Sequence, residues 1–155
     1  MAFLERVRAV VRALSPDGRL AALAALGLLV SMFLPWYEKS VAVRGRFVGD
    51  SVSAFGTVSF VEAAVFLVAA GVLVLLFVRA EGRRFELPGG DGTVVLAGGV
   101  WAALLIFYRV FDKPDVAGSA ATVGIQWGFF VAFLAAAALA LAGQRMRAHR
   151  TGPGS

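Results

Sequence analysis

Apolar residues along this chain gather into four long blocks, each bounded by charged or turn-forming residues. The blocks cover residues 20–36 (LAALAALGLLVSMFLPW), 58–78 (VSFVEAAVFLVAAGVLVLLFV), 93–111 and 123–143. Each is close to the roughly 20 residues that a helix needs to cross the hydrocarbon core of a bilayer. A shorter pattern precedes them. Phe3, Val7, Val10, Val11 and Leu14 recur at helical spacing while Arg6, Arg8 and Arg12 take other faces, which predicts a basic amphipathic helix lying in the headgroup plane. A soluble lead-in to the first span is the alternative for this segment.

Local signals place the boundaries. Ser15-Pro16-Asp17 reads as a helix start, with a capping hydroxyl, a proline suited to the first turn and an acid at the positive end of the dipole. Asp91 or Thr93 can cap the third span and Thr122 the fourth. Between the first two spans, Val41, Val43, Phe47 and Val48 flank Arg44-Gly45-Arg46. A short β-hairpin and an unordered loop fit that segment equally, because two strands alone are marginal without something to pack on. The predicted fold is therefore an all-α membrane protein: an interfacial helix over residues 1–15, an up-down four-helix transmembrane bundle over 16–143, and a basic tail over 144–155. A cleaved leader ending at Ser40-Val41-Ala42 is disfavoured, since the apolar run exceeds a usual signal core and no soluble domain follows.

Composition agrees with this reading and narrows the chemistry. Of 155 residues, 59% are hydrophobic and only 16% charged, against about a quarter charged in soluble domains. Cysteine is absent, which removes disulfides, thiolate catalysis and iron–sulfur ligation. The lone histidine, His149, lies in the basic tail, so no multi-histidine metal or haem site is expected. The net charge of +5 sits beside the apolar blocks and suits anionic lipid headgroups better than nucleic acid. Ten of the fifteen Lys and Arg residues fall in the N-terminal segment, the second connection and the tail, which predicts cytoplasmic termini.

Two ionisable residues stand inside the apolar blocks. Glu62 lies about four residues, or roughly 6 Å, inside the second block. Arg109 lies at similar depth near the end of the third, so antiparallel neighbours bring them level and an ion pair is expected. A proton relay or a substrate-binding carboxylate is the functional reading. A structural clamp near the interface, with Arg109 snorkelling, is the simpler one. Gln126 and Asp112 are candidates to complete a polar cluster. In the fourth block Gly124, Gly128, Ala132, Ala136 and Ala140 repeat every four residues, and Gly98 with Ala102 and Gly99 with Ala103 do so in the third. Such ridges serve close packing, within the bundle or in an oligomer. Trp36, Tyr37, Phe60, Tyr108, Phe111, Trp127 and Phe129 read as an interfacial aromatic belt, while Trp101 lies deeper and wants an acceptor for its N–H.

Enzyme signatures are missing. No Gly-rich phosphate loop ending in Lys-Ser or Lys-Thr occurs, and no HExxH. Gly89-Gly90-Asp91-Gly92 follows no strand and reads as a turn. Glu38, Asp50, Asp112 and Asp115 are more simply solvated loop charges than an acid/base pair. No catalytic residue, metal site or cofactor is predicted.

The segments LPWYEKS (34–40), SAFGTVSFVEA (53–63), YRVFDKPD (108–115) and QWGFFVAFLAAAALALAG (126–143) together resemble a group of small four-span membrane proteins of high-GC bacteria. Their mark is the motif carried here by Leu34, Pro35, Trp36 and Tyr37 after the first span. The chain departs from their pattern at Phe55, where a tryptophan is expected, and at Glu62, where aspartate is commoner. The resemblance implies a bacterial cytoplasmic membrane and brings no catalytic activity. The expected function is a non-enzymatic association protein, working through the fourth-span ridge and the outer loop on itself or on a larger membrane partner. An oligomeric channel or small-solute transporter is the alternative, and an enzyme acting on lipids comes third.

Overall fold

The computed structural model describes residues 2–54, 60–83, 85–112 and 121–151. Among them are the helices α1 (Ala2–Ala13), α2 (Pro16–Ser31), α3 (Phe60–Ala80), α4 (Asp91–Tyr108) and α5 (Trp127–Thr151), and the strands β1 (Pro35–Val43), β2 (Arg46–Ser53) and β3 (Ala121–Ile125). Helices α2 to α5 pack in a ring, each touching the next and α5 closing on α2. Ala21, Ala25, Leu28, Val65, Ala69, Val95, Ala102, Ala136 and Leu139 fill the interior. Helix α1 buries no residue; its Arg6 pairs with Glu81 just past the end of α3 and lies over the Phe77 ring, and Arg19 of α2 donates to its Val11 and Arg12 carbonyls.

Three helices, α3, α4 and α5, are long and apolar enough to cross a membrane, where the sequence reading expected four. The missing one is α2. It starts as predicted, with Ser15 Oγ accepting the Gly18 amide at 3.1 Å and Pro16 in the first turn. It ends at Ser31 instead of Trp36, because Pro35 disfavours helix at Leu34 and offers no amide of its own. The Ser31 carbonyl accepts the Leu34 amide at 3.1 Å and Trp36 Nε1 at 2.7 Å, so the tryptophan helps to cap the helix end.

The Leu34–Tyr37 motif therefore opens a strand. Of the two readings for the segment that follows, the hairpin is the one observed, and it is longer than its turn signal suggested. Arg44 and Gly45 both have positive φ, 49° and 78°, the two-residue turn whose twist matches paired strands. A third strand that the sequence reading missed, β3, pairs with the other edge of β1, giving the order β2-β1-β3 with both pairings antiparallel. The first three residues of the expected fourth span, 123–125, belong to this strand. Helix α5 therefore begins at Trp127, and Thr122, expected at the cap position, lies within the strand. At its other end α5 runs on to Thr151 through residues assigned to the tail, since Gln144, Arg145, Met146 and Arg147 favour helix. Neither Asp91 nor Thr93 is the N-cap of α4; that position is Gly90, with φ 79° and no side-chain cap.

The sheet sits where α2 ends and α3 and α5 begin, at the sheet end of the ring. The basic end holds the start of α2, the end of α3, the start of α4 and the end of α5.

Candidate functional site

Polar side chains fully buried among the described residues are few: Ser31, Glu62 and Arg109. All three lie at the sheet end. Glu62 falls in the first turn of α3 and Arg109 is the residue on which α4 closes, so antiparallel packing of α3 and α4 sets them level. Arg109 Nε donates to Glu62 Oε1 at 3.0 Å, with the two side chains 6% and 1% exposed. Tyr37 reaches the same oxygen from β1, its hydroxyl donating across 3.4 Å, and the Arg109 guanidinium carbon lies 5.7 Å from the centre of the Tyr37 ring. Nη1 of Arg109 donates to the Asp112 carbonyl at 2.6 Å and to its Oδ2 at 3.2 Å.

The arrangement is a chain of satisfied partners. A guanidinium out of water needs both a counter-charge and acceptors for its remaining donors, and Arg109 has Glu62 for the first and Asp112 for the second. Burial pushes the Tyr37 hydroxyl well above its ordinary titration range, and the Glu62 carboxylate pushes it the same way against the opposing pull of Arg109. Tyr37 thus stays a neutral donor. Chemically the cluster can hold three elements together: β1, α3 and the end of α4.

The predicted polar cluster divides. Asp112 joins Arg109, while Gln126 goes elsewhere: its Nε2 donates to Glu38 Oε2 at 2.6 Å and its amide to the Trp36 carbonyl at 2.8 Å. Both bonds attach the start of α5 to β1. Asp115, named above among the outer acids, lies outside the described residues. Of the aromatic belt, Phe60, Tyr108, Phe111 and Trp127 are exposed, but Trp36, Tyr37 and Phe129 are buried, with Trp36 and Phe129 edge-to-face at 6.0 Å. Trp101, expected to seek an acceptor, is exposed on the surface of α4.

The small-residue ridge divides as well. Gly124 stands in β3, where a Cβ would meet nothing within 4 Å, so it belongs to no helix ridge. At Gly128 a Cβ would lie 2.5 Å from the Pro35 carbonyl oxygen, so this glycine lets β1 cross the first turn of α5. Ala132 and Ala136 are fully buried. Ala140 packs its backbone on Gly99 of α4, and Gly143, which the ridge did not include, packs on Leu96 and Gly92. Gly98 instead faces Val68 and Val72 of α3. These residues face the interior of the molecule.

Sequence reasoning overlooked Tyr37 and Trp36 as buried donors. The available signal was Pro35: a proline that must end α2 turns the two aromatic residues back over the helix end, where their polar tips find partners. No known family model matches the chain, and no curated protein matches it.

Proposed function

We propose that the chain is a four-span integral membrane protein that acts by association, holding a three-stranded sheet rigidly at the outer membrane surface. Membrane residence rests on α3, α4 and α5. The fourth span is α2: it lies against both α3 and α5, and it exposes Leu23, Leu26 and Val30, with Phe33 in the turn after it, as a lipid-facing helix does. Its 16 residues and the turn after them reach nearly across the hydrocarbon at 1.5 Å per residue. The basic end then faces the cytoplasm by the positive-inside rule, with α1 in the interface. This organisation fits the small four-span bacterial proteins that the chain resembles.

One observation carries the association reading. The buried ionisable groups are consumed in fastening Tyr37, Glu62, Arg109 and Asp112 to one another, so their evident work is to fix the sheet on the helices. Exposed on that sheet are Arg44, Arg46, Val48 and Asp50, while the ridge residues of α5 are spent inside the molecule. The sheet, and not the ridge, is the contact surface in this reading.

The chain has no native cysteine, which makes both halves of the proposal testable. Single cysteines at Val48, Arg8 and Arg145 should react with an impermeant maleimide from outside at Val48 alone. Labelling at both Arg8 and Val48 would replace four spans by three. A photo-crosslinker at Val48 should capture a discrete adduct in native membranes, a dimer or a larger partner. Absence of any adduct, together with chain-dependent solute flux in liposomes, would replace association by transport.

A further inference from the structure

Trp101 stands near the middle of α4, exposed on the outside of the ring. At that depth it is out of place, because indole rings gather at membrane surfaces, where the N–H finds water or headgroups. No described residue accepts its N–H, and hydrocarbon offers no acceptor. A second misfit lies close by. Gly71, near the middle of α3, is exposed, and a Cβ there would meet nothing within 4 Å. Packing inside the molecule therefore does not call for a glycine, which weakens a helix relative to alanine.

The two residues flank one seam. Gly98 of α4 packs on Val68 of α3. Gly71 follows Val68 by three residues, and Trp101 follows Gly98 by three. In antiparallel neighbours that offset turns both residues to the same side, here the outer lip of the α3–α4 seam. Their depths also correspond. A helical side chain covers the turn on the N-terminal side of its own Cα, so the indole comes back level with Gly98 and Val68. By the same rule the patch that Gly71 leaves bare is the turn before it, residues 67–71. Rotation about a two-fold axis along the membrane normal keeps every residue at its depth, and beside this seam it sets α4 of each copy against α3 of the other. Knob then meets bare patch twice. The Leu67 carbonyl in that patch holds one helix bond and keeps a second lone pair for the indole N–H. Close backbone approach and hydrogen bonds between helices are what drive association in lipid.

We propose that a second copy of this chain docks on this face as a two-fold dimer, with Trp101 of each copy seated on the turn before Gly71 of the other. The proposal rests on α3 and α4 crossing the membrane and not on the sheet as a contact surface. It is tested on the full chain, labelled with donor or acceptor dye and reconstituted in phosphatidylcholine vesicles, by following energy transfer as lipid is added. Gly71→Leu should weaken the dimer at least about tenfold, since the new side chain fills the patch that the indole needs. Trp101→Phe should weaken it about threefold, the scale of one hydrogen bond between membrane helices. Gly71→Leu occupies open space within one copy, so unfolding of the monomer in micelles should be no easier than for the wild type. Leu134→Ala, on the exposed side of α5, should change dimerisation less than about twofold. Equal losses from Leu134→Ala and Gly71→Leu, or a dimer that Gly71→Leu leaves intact, would overturn this face. A chain that stays monomeric while the crosslinker at Val48 still captures a larger partner would overturn it too, and would leave association through the sheet standing.

Discussion

Arg109 and Arg79 each hold a carboxylate, at 3.0 Å beneath the sheet and at 2.7 Å at the basic end. The longer contact is the buried one. Side chains of the first pair are 6% and 1% exposed, those of the second 23% and 26%. Distance therefore does not rank them; what differs is the cost of leaving one partner alone. At the sheet end a guanidinium that loses Glu62 keeps only Asp112, whose carboxylate is 57% exposed and so a weaker counter-charge. At the basic end water replaces a lost partner. One end of the molecule is built to stay shut, and the other sets its pair at the wall of an open cavity.

The largest effect expected from this contrast is at the buried pair. Glu62→Gln or Arg109→Gln should each destabilise by roughly 3–5 kcal/mol, the usual penalty for stripping one member from a buried ion pair. Reversible unfolding in mixed micelles, followed by tryptophan fluorescence, would measure it. A loss under about 1 kcal/mol in both would mean that water already reaches the site.

Next is the α4–α5 crossing that joins the two ends. Gly143→Val should cost about 1–3 kcal/mol, since the added carbons meet the Leu96 backbone and neither helix can give way without losing the contact at Gly99. Wild-type stability in that variant would show that the helices do not approach this closely.

Smaller still is Tyr37→Phe, expected to cost about 1 kcal/mol for one lost hydrogen bond. Its pH dependence gives a sharper reading. With the folded hydroxyl held above its ordinary value, the unfolded chain releases that proton first, so stability is complete below pH about 10 and falls as pH rises beyond it. The Phe variant should lack this alkaline loss.

At the bottom of the scale stands Arg6→Gln, which removes the pair with Glu81 on the exposed α1, where the arginine side chain is 65% exposed. The expected change is below about 0.5 kcal/mol, and added salt should erase it.

Much of the helical layout was legible in the sequence because long apolar runs encode it directly: α3 and α4 lie within three residues of the blocks that announced them. The level placement of Glu62 and Arg109 followed from the same register. What escaped was the sheet end. Residues 121–125 are apolar enough to extend a span, and only their pairing with β1, a contact between residues far apart in the chain, makes them a strand. Trp36 and Tyr37 were misread for a related reason. An aromatic residue near a membrane surface fits the interfacial belt by default, and its burial depends on a strand folding back over the helix end. The every-fourth spacing of small residues marked α5 as a packing face, yet it ran past the helix start to Gly124 and missed Gly143.

The central claim is that a charge pair out of water fastens the sheet end. A double-mutant cycle on Glu62→Gln and Arg109→Gln, with unfolding free energies measured in the same micelles, tests it most directly. The account predicts that the double variant costs less than the two single losses together, by at least about 1 kcal/mol of coupling. Losses that add to within about 0.5 kcal/mol would contradict it, because two groups that do not depend on each other cannot be the fastening.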